Sequence, residues 1–504
     1  MSLDIQALEP STEGARQFLA RPDRQMFIGG QWSDAASGER IDAIDPATGR
    51  RIATVPAGAG PDVDRAVAAA REAFDSGPWP KMTPMERAAI LWRVADLMEA
   101  NIDELAELET LDQGKPLGVG RWAEIPGAIG QFRYFSGQTL RTEGSTIPTS
   151  INYQPPGKEV FAYTLKQPVG VVAAIVPWNS PIIMAAMKLA PALAAGCTVV
   201  LKPAEDTSLT ALRMAELMQE AGIPDGVVNV VTGYGAAAGA ALAAHPQVNK
   251  VAFTGSTTTG RAILDAAKGN LKRVHLELGG KSPVIIMPDA DLGMAVPGAA
   301  NGIFFNAGQV CVAGSRLYAH RSVYDQVLEG VAEAGNNLKL GHGLDPSTQL
   351  GPVVSVRQAE RIMDYVEGSR RDGASIVSGG SQDGPTGCFI RPTVVADVRA
   401  DMSIVREEVF GPVLVCTRFD EIDEVIAQAN DSDYGLAASV WTEHLGTAHR
   451  MAERIHSGTV WVNCHLMFDP SLPIGGVKQS GWGRDSGQQA IENYLETKSV
   501  CMVM

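Results

Sequence analysis

Between residues 169 and 278 the chain alternates between short apolar β-prone runs and helix-length segments. GVVAAIV (170–176), CTVVLK (197–202), VVNVV (227–231), KVAFT (250–254) and RVHLEL (273–278) read as strands. Residues 181–195, 207–221, 235–244 and 256–267 between them carry helical patterning. Apolar runs without polar alternation, joined by helices, specify a parallel sheet covered on both faces. Ligands bind such sheets at the carboxyl ends of the strands. Residues 281–475 repeat this as a second α/β unit, with strands expected at 283–287, 315–320, 374–378, 413–418, 436–441 and 459–463.

Ahead of this core, residues 26–55 read as short strands separated by Gly and Asp-Pro turns. Residues 61–76, 83–112 and 120–138 read as helices, the second capped by Thr83 with Glu86 three residues on. Residues 1–22 read as a tail or short helix. Two segments fall outside the pattern: 146–166, a hairpin, and 481–504, ending in a strand. Unpaired apolar strands of this kind aggregate unless covered, so both are expected to serve oligomerisation, as a dimer or dimer of dimers. Pairing within one chain is the alternative. The expected division is 1–145 with 167–279, then 280–480, with 146–166 and 481–504 as the arm.

A chain of 504 residues has room for about three domains. Its 45% hydrophobic and 20% charged residues are those of a soluble globular protein. The net charge of -15 argues against nucleic acid or an anionic membrane surface as partner. Cys197, Cys311, Cys388, Cys416, Cys464 and Cys501 form no CxxC, which fits a reducing compartment. The eight histidines lack metal-site spacing, so no metal is expected. No run reaches the ~20 apolar residues of a spanning helix, and the N-terminus lacks an apolar signal core. The expected location is the cytoplasm.

Cys311 lies in NGIFFNAGQVCVAGSR (301–316), after an apolar wall and a small Ala307-Gly308 step. A free cysteine is most often a small buried hydrophobe; a nucleophile needs partial access and a favourable field. The sequence supplies company for it at four strand ends. Pro177-Trp178-Asn179 offers an amide donor. Lys202-Pro203-Ala204-Glu205 suits a ribose, since Glu205 can accept from a 2′-OH and would repel a 2′-phosphate. Phe253-Thr254-Gly255-Ser256 opens a helix, with Gly255 allowing close approach of a pyrophosphate to free N–H groups. Glu277-Leu278-Gly279-Gly280-Lys281 puts a carboxylate at the domain junction. Singly these are ambiguous: Gly233-x-Gly235 does not match GxGxxG, and Asn179 alone could be a turn residue.

Together, PWN (177–179), KPAE (202–205), FTGST (253–257), ELGGK (277–281), GQVC (308–311), EEVFGPV (407–413) and GGVKQSGWGRD (475–485) resemble the aldehyde dehydrogenase superfamily over nearly the whole chain. The resemblance implies an α/β fold of an atypical Rossmann cofactor domain, a catalytic domain and a small β arm. It implies NAD as cofactor and a small-molecule aldehyde as substrate. Cys311 would be the nucleophile, Glu277 the general base, and Asn179 the oxyanion donor with the Cys311 backbone N–H. Trp178, Lys202, Glu205, Gly235, Gly255, Ser256, Leu278, Gly279, Glu408 and Phe410 would hold the cofactor, with Lys188 near the active site.

Where many family members carry aromatics, this chain has Ser180 and Met187, which should widen the tunnel beside Cys311. Met184, Met187, Phe305, Met467 and Phe468 are the expected apolar lining, although methionine is also common core filler. No arginine in these stretches could pair with a substrate carboxylate. A bulky apolar aldehyde fits best, and the tail HLMFDPSLPIGGVKQSGWGRDSG (465–487) resembles phenylacetaldehyde dehydrogenases. A CoA-acylating relative and a non-catalytic structural relative are the competing readings. Glu277 argues against the first, and the intact set of Cys311, Glu277 and Asn179 against the second.

Overall fold

A computed structural model describes residues 5–151, 153 and 155–504. Its largest sheet has eight strands. Five parallel strands form the centre, in the spatial order Val228–Val230, Thr198–Lys202, Val171–Ile175, Lys250–Thr254, Arg273–Glu277. These are the five expected from the alternation, Lys250–Thr254 with the expected bounds and the other four trimmed by a residue or two. Chain order reverses between Val171–Ile175 and Lys250–Thr254. That makes a topological switch point, the place where open α/β sheets bind ligands. Met26–Ile28 and Gln31–Ser33 extend one edge, and Gly481–Trp482 pairs antiparallel with Arg273–Glu277 on the other. The segment expected as an arm from residue 481 therefore first completes this sheet.

Four of the five central strands are buried along their length, and Arg273–Glu277 over its last three residues, because helices cover both faces. Pro181–Ala195 packs there almost wholly buried, and its Lys188 is buried with it. The second sheet has seven strands, in the order Ser375–Ser378, Thr393–Ala396, Val413–Phe419, Arg316–His320, Pro283–Ile286, Ala437–Trp441, Thr459–Val462. All pairs are parallel except the first. Six were expected; Thr393–Ala396, short and wedged after Pro392, was not. The expected helix 83–112 breaks at Asn101 into Pro84–Ala100 and Ile102–Gln113. Expected helix 235–244 begins as a wider turn over Gly235–Gly239.

Leu495–Val503 pairs along its whole length with Val160–Pro168, and Thr146–Ile147 pairs on the far side. This three-stranded sheet lies apart from the other two. Phe161, Leu165, Met502 and Val503 are exposed on it. Among the described residues no helix is long and apolar enough to cross a membrane.

Candidate functional site

Cys311 is carried on a loop built to a fixed shape. The helix Leu292–Phe304 supplies the apolar wall, and the chain then turns through three consecutive left-handed residues, Asn306, Ala307 and Gly308. Such conformations are costly for residues other than glycine and persist only where the surroundings impose them. Here they do. Asn306 Nδ2 donates to the Asn179 carbonyl at 2.9 Å, Asn179 Nδ2 donates to the Gln309 carbonyl at 2.9 Å, and the Val354 N–H donates to Gln309 Oε1 at 2.9 Å. Asn179, at the end of the Val171–Ile175 strand, is thus tied to the cysteine loop. One N–H of its amide holds the loop and the other remains for a ligand.

Cys311 is half-buried. Burial, followed by the negative fields of Glu408 and Glu277, pushes its thiol up to about 12; the N–H groups of Val312 and of Cys311 itself pull the other way. A Cβ placed on Gly280 would lie 2.4 Å from the Cys311 carbonyl, so the ELGGK turn packs directly on the loop.

Glu277, 7% exposed, ends the Arg273–Glu277 strand. Burial first, then the charge of Asp485, raises its pKa well above the ordinary carboxylate value, while Lys188 and Arg484 oppose the rise. Its Oε1 lies 3.2 Å from His275 Nε2, and Lys188 Nζ sits 2.5 Å from Asp485 Oδ2. His275, Glu277 and Asp485 bring their ligand-capable atoms within 4.8 Å of one another. The Lys188 ammonium is the cation already placed on that group. Neither His275 nor Asp485 was singled out from the sequence. The signal for His275 was parity, because residues two apart on a strand share a face.

The cofactor-side residues gather at the carboxyl ends of the same sheet. Lys202 Nζ meets Glu205 Oε2 at 2.9 Å. Burial works to raise the Glu205 pKa, but Lys202 and the backbone amides of Glu205 and Gly235 hold it below the ordinary value. Gly235 thereby joins the Lys202–Glu205 pair. Ser256 caps the helix Thr257–Ala267, its side chain accepting from the Thr259 N–H. Gly255 donates its N–H to the Glu277 carbonyl at 3.0 Å. Leu278 is buried against Gly260, and Gly279 is pinned through its carbonyl by Ser480 Oγ at 2.7 Å. Glu408 Oε1 accepts from the Gly280 N–H at 2.8 Å, and burial lifts its pKa to about 7. Phe410 and Trp178 pack edge to face, 5.2 Å between centroids. An adenine dinucleotide fits this donor set: a paired carboxylate for a ribose, a capped helix N-terminus for phosphates, and a second carboxylate beside the glycine turn for the other ribose.

Phe305 faces Trp122, with centroids 6.0 Å apart. Phe468 packs edge to face on Trp461 at 5.7 Å, and Trp461 Nε1 donates to the Met467 carbonyl at 2.9 Å. Trp461 belongs to the small apolar cluster against which Cys311 packs. Met467 and Phe468 are exposed, Met184 is half-buried and Met187 is buried. Trp122 and Trp461 were missed in the sequence because nothing local marks a tryptophan as a wall. A separate cavity of about 270 Å³ lies under the N-terminal segment, lined by residues such as Pro10, Arg16, Arg50 and Leu111, and contains none of the expected site residues.

Comparison with known proteins agrees with this geometry. The model of the "Aldehyde dehydrogenase family" matches residues 32–500. The phenylacetaldehyde dehydrogenase of Pseudomonas fluorescens is 48% identical over 501 residues, covering 99% of each chain. An aldehyde dehydrogenase from Bacillus cereus, solved as an NAD⁺ complex, superposes with a TM-score of 0.95 at 45% identity over 99% of each chain. An indole-3-acetaldehyde dehydrogenase solved with NAD⁺ gives a TM-score of 0.93 at 44% identity, covering 97% of this chain and 99% of that one. The expected fold, family and cofactor are those found: the chain belongs to the aldehyde dehydrogenase family and is an NAD-dependent aldehyde dehydrogenase.

Proposed function

We propose that this dehydrogenase oxidises a bulky, apolar aldehyde of the arylacetaldehyde type, such as phenylacetaldehyde, and releases the carboxylic acid. The observation that carries the reading is the clasp between Asn179 and the Cys311 loop, with the ELGGK turn that follows Glu277 packed on that loop and bonded to Glu408. In this reading the clasp serves to bring a thiol, an amide donor and a carboxyl group to one substrate, with aromatic rings nearby.

In this reading the Cys311 thiol gives its proton to solvent water and its sulfur bonds to the aldehyde carbon, whose C=O π pair moves onto oxygen. The free N–H of Asn179 and the Cys311 backbone N–H stabilise the oxygen anion that forms. Bound NAD supplies a hydride acceptor, held by the residues gathered around Glu205, Ser256, Gly279 and Glu408. The resulting Cys311 thioester is cleaved by a water whose proton Glu277 takes. Burial and the charge of Asp485 raise the pKa of this carboxyl above the ordinary carboxylate value, so it holds a proton more tightly than a free glutamate would.

Substrate choice rests on the rings of Phe305, Trp122, Trp461 and Phe468, on Ser180 and Met187 in place of bulkier aromatics, and on the lack of an arginine in the sequence stretches expected to line the tunnel. The full-length likeness to phenylacetaldehyde dehydrogenase supports it. Residues 1–145 with 167–279 would form the NAD-binding domain and 280–480 the catalytic domain. The three-stranded sheet would serve homo-oligomer formation, and the protein would work in the cytoplasm.

The test is NADH formation with phenylacetaldehyde, benzaldehyde and straight-chain aldehydes. Highest kcat/KM for the arylacetaldehyde supports the reading; preference for acetaldehyde sinks it. Acid quenching during turnover should trap thioester on Cys311. Cys311→Ala should abolish oxidation while NAD still binds, and turnover above about 1% of wild type would count against a single thiol nucleophile.

A further inference from the structure

His275 and Glu277 are two residues apart on one strand, so their side chains leave the same face. The histidine ring is 1% exposed, the carboxyl 7%, and Asp485 beyond them 2%. His275 Nε2 lies 3.2 Å from Glu277 Oε1, and His275 Nδ1 lies 3.7 Å from Asp485 Oδ1. Gly483 closes over the ring: a Cβ there would come within 2.3 Å of His275 Cδ2. The imidazole is wedged between two carboxyl groups.

The two contacts are unequal. His275 Nδ1 and Asp485 Oδ1 are both buried with no hydrogen-bond partner among the described residues, although they face each other. Two acceptors held apart produce this arrangement. Asp485 is satisfied on its other oxygen by Lys188. The neutral ring has one proton, and of its two contacts only the 3.2 Å approach of Nε2 to Glu277 Oε1 is within hydrogen-bond reach.

We propose that His275 is a positioning residue of the hydrolytic half-reaction, fixed as the Nε2–H tautomer so that it donates to Glu277 and favours that group's carboxylate form. The inference rests on the reading of Glu277 as the base that activates water.

The surroundings fit this role. Burial, with the positive charges of Lys188, Lys250 and Arg484, keeps the ring neutral. Around Glu277, burial and Asp485 favour the protonated acid, while Lys188 and Arg484 oppose them. A donor fixed on Oε1 adds to the side that keeps Glu277 able to take a proton.

The experiment follows thioester breakdown after a single turnover by acid quench, as a function of pH, in the full-length enzyme. His275→Leu removes the donor, and the acid limb should move up by about one pH unit. His275→Asn presents an amide toward Asp485 instead of Glu277 and should move it likewise. His275→Gln restores a donor near the Nε2 position and should bring the limb back toward wild type. A limb unmoved in His275→Leu and His275→Asn, or moved as far in His275→Gln, overturns the proposal. Glu277→Gln is run alongside. If it stops thioester breakdown while the histidine variants do nothing, the role of His275 alone fails. If breakdown continues unimpaired in Glu277→Gln, the reading of Glu277 fails and the inference falls with it.

Discussion

Asn179 and Gln309 come from different α/β units, yet the amide of one donates to the carbonyl of the other at 2.9 Å. That bond spans 130 residues of sequence and fixes the cysteine loop to the carboxyl end of the central strand. Catalytic geometry in this molecule therefore depends on the seam between two sheets, and substitutions along the seam should be felt in turnover before they are felt in folding.

Asn179→Ala removes both the clasp and the remaining N–H. Loss of one such donor typically lowers kcat by roughly 10²–10³-fold. Steady-state kinetics should show a fall of that size, with NAD affinity unchanged. A fall smaller than about tenfold would mean the Cys311 N–H alone suffices.

The thiol should respond to the charge beside it. Glu408 titrates at about 7, so above that pH its negative charge adds to burial in holding Cys311 up, at about 12. Glu408→Gln keeps the shape and removes the charge. The Cys311 thiol should then ionise about half a pH unit lower, and its alkylation by iodoacetamide at about pH 9 should become roughly threefold faster. An unchanged alkylation profile would show that burial acts alone.

Lys202 holds the Glu205 pKa below the ordinary value, and in the proposed cofactor site this carboxylate would repel a 2′-phosphate. Glu205→Gln removes the repulsion, and the ratio of kcat/KM for NAD over NADP should fall by roughly tenfold. Equal ratios in the two proteins would assign cofactor choice elsewhere.

Gly308 has φ +70, and a Cβ there would lie 2.0 Å from the Gly411 carbonyl oxygen. Gly308→Ala must move either the cysteine loop or the EEVFGPV segment that carries Glu408. A displacement of about 1 Å can cost 10²-fold in rate. The expected variant folds, shows a lower Tm and binds NAD weakly; wild-type kinetics would refute the strict packing at this point.

The sequence was most legible where burial on both faces leaves only one kind of residue to use. All five central strands were readable because parallel strands between helices become unbroken apolar runs. The motifs at their ends were readable because turns need Gly, Pro and Asn, and these stand out against such runs. Thr393–Ala396 escaped because four residues between a proline and an Asp resemble a loop. The break at Asn101 escaped because the helical pattern continues in register on both sides. His275 escaped because one polar residue inside an apolar strand looks like an anomaly until Glu277 is placed on the same face. Trp122 and Trp461 meet Phe305 and Phe468 only through tertiary packing, which no local pattern records.

The last nine paired residues, Leu495–Val503, are bonded along Val160–Pro168 with a register of nine partners. Synthesis of this chain therefore leaves an open β template for more than three hundred residues, until the strand that completes it has been made. A product stopped short of Leu495 would carry that template permanently, and should be found with chaperones or in the insoluble fraction.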